Sequence, residues 1–122
     1  MKVRLLTVAL GLLVSPLSWG EFYSGHKVAE WAAEVDRYNS GVPGSSQFVE
    51  FLFLGYVAGI YDALELAAET EEVPHVICFP RGVTTDQAGK IVSNYIKQNP
   101  SKLHHPGSRV VALALNDAFP CP

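Results

Sequence analysis

Residues 48–68 read FVEFLFLGYVAGIYDALELAA, and this stretch decides the fold. Residues 51–61 contain no charged side chain, and apolar residues occupy every angle of a helical wheel. A helix that is apolar all round has to be surrounded by other helices or by lipid. Glu50, Asp62 and Glu65 interrupt the apolar run well short of the thickness of a bilayer, so we expect other helices rather than lipid to surround this helix. The stretch therefore predicts the central helix of a helical bundle.

One face of this predicted helix has almost no side-chain bulk. Gly55 and Gly59 lie four residues apart, and Asp62 follows on the same stripe. Because glycine has no Cβ, we expect another element to approach the helix backbone closely along this face. The carboxylate of Asp62 would then accept hydrogen bonds from the N-terminus of a packed helix. A catalytic role for Asp62 is the alternative, but no partner carboxylate or nucleophile is recognisable in the sequence.

The first twenty residues have the layout of a secretory signal peptide. Lys2 and Arg4 form a basic start, an apolar run follows, and a small-x-small cleavage site ends at Gly20. The apolar part is too short to span a membrane as a stable helix. We predict cleavage near Gly20, which leaves residues 21–122 as a single small exported domain without a membrane insertion. A retained membrane anchor is the alternative.

The charge of the exported part excludes some classes of partner. It keeps all 12 acidic residues of the chain and loses two of the nine basic ones, so its formal charge is −5. Nucleic acids and anionic membranes are bound by basic patches, which this composition does not favour. A basic protein partner, or simple solubility, fits the acidic surface better.

The chain has two cysteines, Cys78 and Cys121. An even number of cysteines in an exported domain favours one disulfide. Two alternatives are a Cys–His nucleophile pair formed with His75 and a metal site formed with His104 and His105. Neither is supported by a second nearby thiol or by an orienting motif, and adjacent histidines point in different directions from a helix or strand.

Three further helices are predicted around the central one. Residues 26–39 have apolar positions at intervals of three and four, with Ser24 as N-cap and Trp31 as a core anchor. Thr84 and Gln87 form a T-x-x-Q capping box that starts a helix ending at Gln98. A last helix covers residues 108–118. The predicted fold class is therefore all-α: a small four- to five-helix bundle around a central apolar helix, with one disulfide and no recognisable catalytic apparatus.

The order of four stretches adds a resemblance to a known family. They are GYVAGIYDA (55–63), CFPRGVTTDQ (78–87), IVSNYIKQNPSKLHHPG (91–107) and VVALALNDAFPC (110–121). This order resembles the Rap/Tai-type immunity family, small periplasmic proteins that neutralise peptidoglycan amidases delivered by type VI secretion. The residues that carry the resemblance as structural motif positions are Gly55, Tyr56, Gly59, Asp62, Pro80, Thr84, Gln87 and Tyr95.

The resemblance implies an α-helical bundle, a Cys78–Cys121 disulfide, a homodimer and a periplasmic location. The sequence itself contains no metal-ligand cluster and no nucleophile–base pair, so we expect a protein that is not an enzyme and needs no cofactor or metal. The implied mechanism is steric: a helix–loop surface enters the cleft of a Cys–His amidase and denies it the peptide stem.

Family motifs of this kind do not identify the inhibitory contacts, because contact loops must differ between immunity proteins for specificity. From position and charge we predict partner-binding residues in two loops: Glu69, Glu71, Glu72 and His75 in the first, His104 and His105 in the second. Ordinary solvated connections are the alternative for both loops. A periplasmic stress protein, such as an acid-activated chaperone, is the alternative function, because the acids and histidines would change charge on acidification.

Overall fold

The computed structural model describes residues 21–70 and 77–122. Their regular structure consists of α1 (Gly25–Asn39), α2 (Gln47–Glu69), α3 (Thr85–Gln98), a 3-10 turn (Pro100–Lys102) and α4 (Gly107–Ala118). The all-α prediction is confirmed, and each helix begins and ends within about one residue of the predicted bounds. The predicted signal peptide lies outside the described residues and stays a prediction.

Side-chain caps start two of the helices as the sequence predicts. Ser24 Oγ and Thr84 Oγ1 each accept a hydrogen bond from the backbone N–H three residues ahead, at 3.2 and 3.1 Å. Ser46 precedes α2, but its hydroxyl makes no capping bond. Its backbone N–H instead donates to Glu34 Oε1 at 2.8 Å. This bond ties the start of α2 to α1.

One hydrophobic core lies where the four helices meet. Its centre is formed by Phe53 and Val57 of α2, which are 1% and 0% exposed. The other large apolar side chains of the described residues with almost no exposed area are Val28 of α1, Val92 of α3, and Val110, Val111 and Leu115 of α4. Burying a side chain of this size contributes roughly 1.5–3 kcal/mol relative to leaving it exposed. Trp31 is buried beside them, which confirms its predicted role as a core anchor.

The opposite side of α2 is open. Of its 23 residues, only Phe53 and Val57 are buried, and α2 is long and apolar enough to cross a membrane by length and composition. We call the stripe of Phe48, Phe51, Gly55, Gly59, Asp62 and Leu66 the outer face of α2; all six are exposed. The prediction that helices surround α2 is thus wrong for this side among the described residues, because α1, α3 and α4 all pack on the Phe53–Val57 side.

The close backbone approaches of the fold occur at glycines other than the predicted ones. A Cβ built on Gly55 or Gly59 would meet nothing within 4 Å, so the expected close packing at these two residues is wrong for the described chain. In contrast, a Cβ on Gly107 would lie 2.6 Å from a buried valine methyl of α1. A Cβ on Gly89 would lie 2.6 Å from a methyl of Leu54, where α3 crosses α2.

A disulfide closes the domain. Cys78 and Cys121 are bonded, with their Cα atoms 4.8 Å apart, which confirms the predicted pairing. Beside it, the Cys78 N–H donates to the carbonyl of Phe119 at 2.9 Å. The bridge joins the segment that follows α2 to the tail that follows α4, and it removes the thiol that a Cys–His nucleophile would need.

Removing the disulfide should cost a large part of the stability of so small a domain. The two cysteines are separated by 43 residues, and closing a loop of that length stabilises the folded state by about 4 kcal/mol in the chain-entropy account. Urea unfolding of the Cys78→Ala/Cys121→Ala variant is expected to show a loss of this order. A loss below about 1 kcal/mol would contradict the chain-entropy account.

Two glycine substitutions should change stability in opposite directions. Gly107→Ala is expected to cost about 1–3 kcal/mol, because its Cβ has no room. Gly55→Ala, in an open position of a helix, is expected to gain about 0.5–1 kcal/mol. Urea unfolding at a protein concentration low enough to keep the chain monomeric measures both. Equal effects of the two substitutions on the free energy of unfolding would contradict the close packing at Gly107.

Candidate functional site

The predicted histidine pair lies on a connection that is fixed at both ends. The rings of His104 and His105 are 4.1 Å apart between centroids. His104 Nδ1 lies 2.8 Å from the carbonyl oxygen of Ser101, and the carbonyl of His105 accepts a hydrogen bond from the N–H of Gly25 at 2.8 Å. The connection therefore holds the imidazoles in place against the start of α1.

The surroundings of this pair are basic. Partial burial lowers the pKa of His105 from its ordinary value of 6.5, and the positive charges of His104, Arg109 and Lys102 lower it further. Within residues 21–70 and 77–122, no group of three or more His, Cys, Asp or Glu side chains is placed to hold a metal ion. The histidine pair thus forms a basic corner of an otherwise acidic protein.

The first predicted contact loop is described only at its start. Glu69 is the last residue of α2 and is exposed. Glu71, Glu72 and His75 lie outside the described residues, so their role stays a prediction.

Glu69, the described start of the first predicted loop, lies away from the histidine pair. The hydroxyl of Tyr56 reaches Gly107, two residues after His105: it lies 2.9 Å from the position of a Cβ there. Glu69 follows Tyr56 by thirteen residues of helix, or about 20 Å. The structure therefore does not bring Glu69 and the histidine pair together into one patch.

Tyr56, one of the motif residues, belongs to an aromatic cluster. Its ring centroid lies 5.6 Å from that of Tyr23 and 5.7 Å from that of Trp31, both in edge-to-face geometry. Burial raises the pKa of Tyr56 above its ordinary 10.0, and Glu21 and Tyr23 raise it further. The cluster fastens the lead-in before α1 to α2. Sequence reasoning missed it, because Tyr23 precedes the helix and follows no periodic pattern.

Asp62, another motif residue, lies beside the start of α3. It shares a hollow of about 100 Å³ with Thr84 and Thr85, which begin that helix. An acid at a helix N-terminus interacts favourably with the helix dipole. None of the side-chain hydrogen bonds of the described residues involves Asp62. The structure thus places the carboxylate next to the predicted helix end without the predicted hydrogen bonds.

The remaining motif residues have local positions. Thr84 caps α3 through the N–H of Gln87, and Pro80 is exposed in the loop before that cap. Tyr95 packs against the core from α3, and its carbonyl accepts hydrogen bonds from the backbone N–H and side-chain amide of Asn99, both at 2.9 Å.

A cleft between α1, α2 and α3 was not predicted. It has a volume of about 470 Å³, and its lining includes charged residues from all three helices. An ion pair between Lys97 Nζ and Asp36 Oδ2, 2.6 Å long, joins α3 to α1 in this lining. The available signal was the pair of small residues Gly89 and Ser93 at helical spacing within α3, since small residues in a helix often mark a close approach.

The comparison with protein families decides the identity. A family model described as Rap1a immunity proteins matches residues 28–121. This chain belongs to the Rap1a immunity protein family. The match spans α2, α3, α4, most of α1 and both cysteines, so the resemblance drawn from four short stretches is confirmed. Neither the curated proteins nor the solved structures that were compared give a match. As a Rap1a-family immunity protein, the chain acts by binding a toxin effector.

His105 should make the stability of this Rap1a-family protein depend on pH. Because the pKa of His105 is lower in the folded state than its ordinary 6.5, the unfolded chain takes up this proton more readily. The contribution of His105 is complete above pH 6.5 and is lost as the pH falls through the folded-state pKa.

We therefore expect the free energy of unfolding to fall on acidification, and to fall less in the His105→Gln variant. Urea unfolding at a series of pH values measures this. The His26→Gln variant is the control, because it removes a histidine at another, exposed position. Identical pH dependence in His105→Gln and the wild type would contradict the assignment.

Proposed function

We propose that this chain is a periplasmic immunity protein that binds a peptidoglycan amidase delivered by type VI secretion and inhibits it by covering the catalytic cleft. Membership of the Rap1a immunity protein family is the observation that carries the proposal. The predicted signal peptide supports a periplasmic location. The formal charge of −5 after its removal supports a basic partner surface, since complementary charges accelerate association and suppress wrong partners.

The amidase is proposed to contact the two predicted loops. The first begins at Glu69 and includes Glu71, Glu72 and His75; the second contains His104 and His105. The second loop is held by the hydrogen bond from the N–H of Gly25 to the carbonyl of His105. A loop fixed in this way loses little conformational freedom on binding, which favours affinity.

Periplasmic expression of the protein should protect cells from the amidase that it recognises. We expect the wild type to suppress lysis by one member of a panel of type VI peptidoglycan amidases. The Glu71→Lys/Glu72→Lys variant should lose roughly tenfold or more in inhibition, because it reverses the charge of the proposed contact.

The control carries the same charge change elsewhere: Glu30→Lys/Asp117→Lys alters exposed positions of α1 and α4 and should still protect. Failure of the wild type against every amidase would contradict the proposed function. Full protection by Glu71→Lys/Glu72→Lys would contradict the loop assignment alone.

A second copy of the chain is proposed to cover the outer face of α2. This face is apolar over most of its length. It has no side-chain bulk at Gly55 and Gly59, and it carries large side chains at Phe48 and Phe51 towards one end and at Leu66 towards the other. Two such helices fit each other when they cross at the glycines, where their backbones approach closely. The crossing is self-complementary, as a two-fold dimer requires. Phe48, Phe51 and Leu66, which are 73%, 63% and 62% exposed, would then be buried.

The dimer should be lost when the crossing point is filled. Gly59→Leu adds a side chain where the described chain leaves open space, so the monomer should fold while the second copy is blocked. Ala33→Leu, at an exposed position of α1, is the matched control and should stay dimeric. Sedimentation velocity measures both. A monomeric wild type, or a dimeric Gly59→Leu, would contradict the proposed interface.

The acid-activated chaperone remains the second candidate, and two observations favour it. The outer face of α2 offers an apolar surface for unfolded clients, and protonation of His105 on acidification would add charge to a basic corner. Light scattering of a model client at strongly acidic pH tests this activity. If the protein suppresses no aggregation while its expression rescues cells from an amidase, this alternative fails.

A further inference from the structure

The outer face of α2 continues into an apolar groove between α2 and α4. The groove has a volume of about 440 Å³, and its lining includes Gly59, Ile60, Ala63, Leu64, Arg109 and Ala112. Gly59 belongs both to the outer face and to the groove, so the two surfaces are continuous. An exposed apolar patch rimmed by polar residues is typical of a site of protein association. We call this border of the outer face the α4 edge.

The opposite border, the α3 edge, is acidic. Asp62 shares a hollow there with Ala58, Tyr61 and the start of α3, and the exposed Glu65 lies one turn after Tyr61. On the α4 edge, Arg109 is the one charged residue of the groove lining within the described chain. None of the ion pairs of the described residues includes Asp62, Glu65 or Arg109. The two edges therefore carry charges of opposite sign that are not paired with each other.

Arg109 is the cation that borders the outer face directly. The other basic side chains of the described helices either form ion pairs or line the cleft between α1, α2 and α3: Lys27, Arg37, Lys90 and Lys97. Arg81 lies in the loop before α3 and forms no ion pair with Asp62 of its own chain. Lys102 belongs to the basic corner with the histidine pair, so it adds to the positive charge on the side of Arg109.

Two-fold symmetry leaves two directions for the α2 of the proposed second copy. If the two helices run antiparallel, like edges face each other, and Arg109 comes towards Arg109 of the second copy. Asp62, which follows the glycines in α2, then lies against the phenylalanines that precede them.

If the two helices run parallel, the α4 edge of each copy faces the α3 edge of the other. Equal heights along the two helices then meet. Asp62 lies between Gly59 and Ala63 in the sequence, and both of these residues line the groove with Arg109. A parallel arrangement therefore brings Arg109 of each copy beside Asp62 of the other.

The cost of burying Asp62 decides between the two directions. Covering the outer face takes its carboxylate out of water, which is costly unless the charge is paired and hydrogen-bonded. The antiparallel arrangement places the carboxylate on apolar side chains. The parallel arrangement supplies a guanidinium, whose planar fork suits a carboxylate. The two aspartates and two arginines that meet at this level are neutral as a group.

We propose that the two copies pack with their α2 helices parallel and that Arg109 of each copy pairs with Asp62 of the other. The inference rests on the second copy proposed above, and it adds the direction of the interface and the ion pairs that fix it. Glu65 extends the acidic edge that Arg109 faces.

Complementary charge reversals in the purified protein, expressed from its full-length gene, test this pairing. Arg109→Asp and Asp62→Lys each place two like-charge pairs in a parallel dimer, so each variant alone should dimerise roughly tenfold or more weakly than the wild type. In an equimolar mixture the heterodimer has two pairs of opposite sign, so the mixture should regain the dimer. Both residues are exposed in the described chain, so both variants should fold. Sedimentation velocity measures the dimer fraction.

Lys27→Asp is the matched control, because it reverses a charge at an exposed position of α1. It should dimerise like the wild type, and its mixture with Asp62→Lys should contain fewer dimers than the complementary mixture. A dimeric wild type whose complementary mixture stays as weak as the single variants would overturn the parallel pairing and leave the second copy in place. A monomeric wild type would contradict the second copy, and this inference with it.

Discussion

The burial of Phe53 and Val57 on one side of α2 is the contact on which the rest of the structure depends. Both side chains are almost fully removed from solvent, and α1, α3 and α4 each pack against this side of α2. These three helices are shorter and amphipathic, so each has one apolar face to offer. Their faces meet at the same stripe, which leaves the other half of the longest and most apolar helix without cover from the described chain.

The order and bounds of the helices follow from signals that act locally. Ser24 and Thr84 each accept a hydrogen bond from a backbone N–H within the first turn of a helix. The spacing of apolar residues in α1, α3 and α4 indicates which face of each helix is buried. The residue pattern of α2 does not indicate which of its faces is buried, because the helix is apolar at every angle. Its glycines show only that another element can approach the backbone of α2 closely. They do not show whether that element belongs to the same chain or to a partner.

The features that sequence reasoning missed depend on contacts between distant segments. The sequence around Gly107 is typical of a loop. In the structure its lack of a Cβ allows the first residue of α4 to pack directly against α1. The cleft is assembled from side chains of three helices, and only Gly89 and Ser93 gave a local sign of it. Family resemblance placed the chain in the right class and gave the disulfide. It did not identify the contact residues, because the contacts that give specificity must differ between members of a family.

The central claim is that α2 is covered by its own chain on one side and by a second copy on the other. Oxidative cross-linking of single introduced cysteines in the periplasm tests it most directly, because a cysteine at the proposed crossing point would lie beside the same cysteine of the second copy. We predict that Gly59→Cys forms a covalent dimer and that Ala33→Cys, exposed on α1, does not. A Gly59→Cys variant that stays monomeric, or that cross-links no better than Ala33→Cys, would contradict the account.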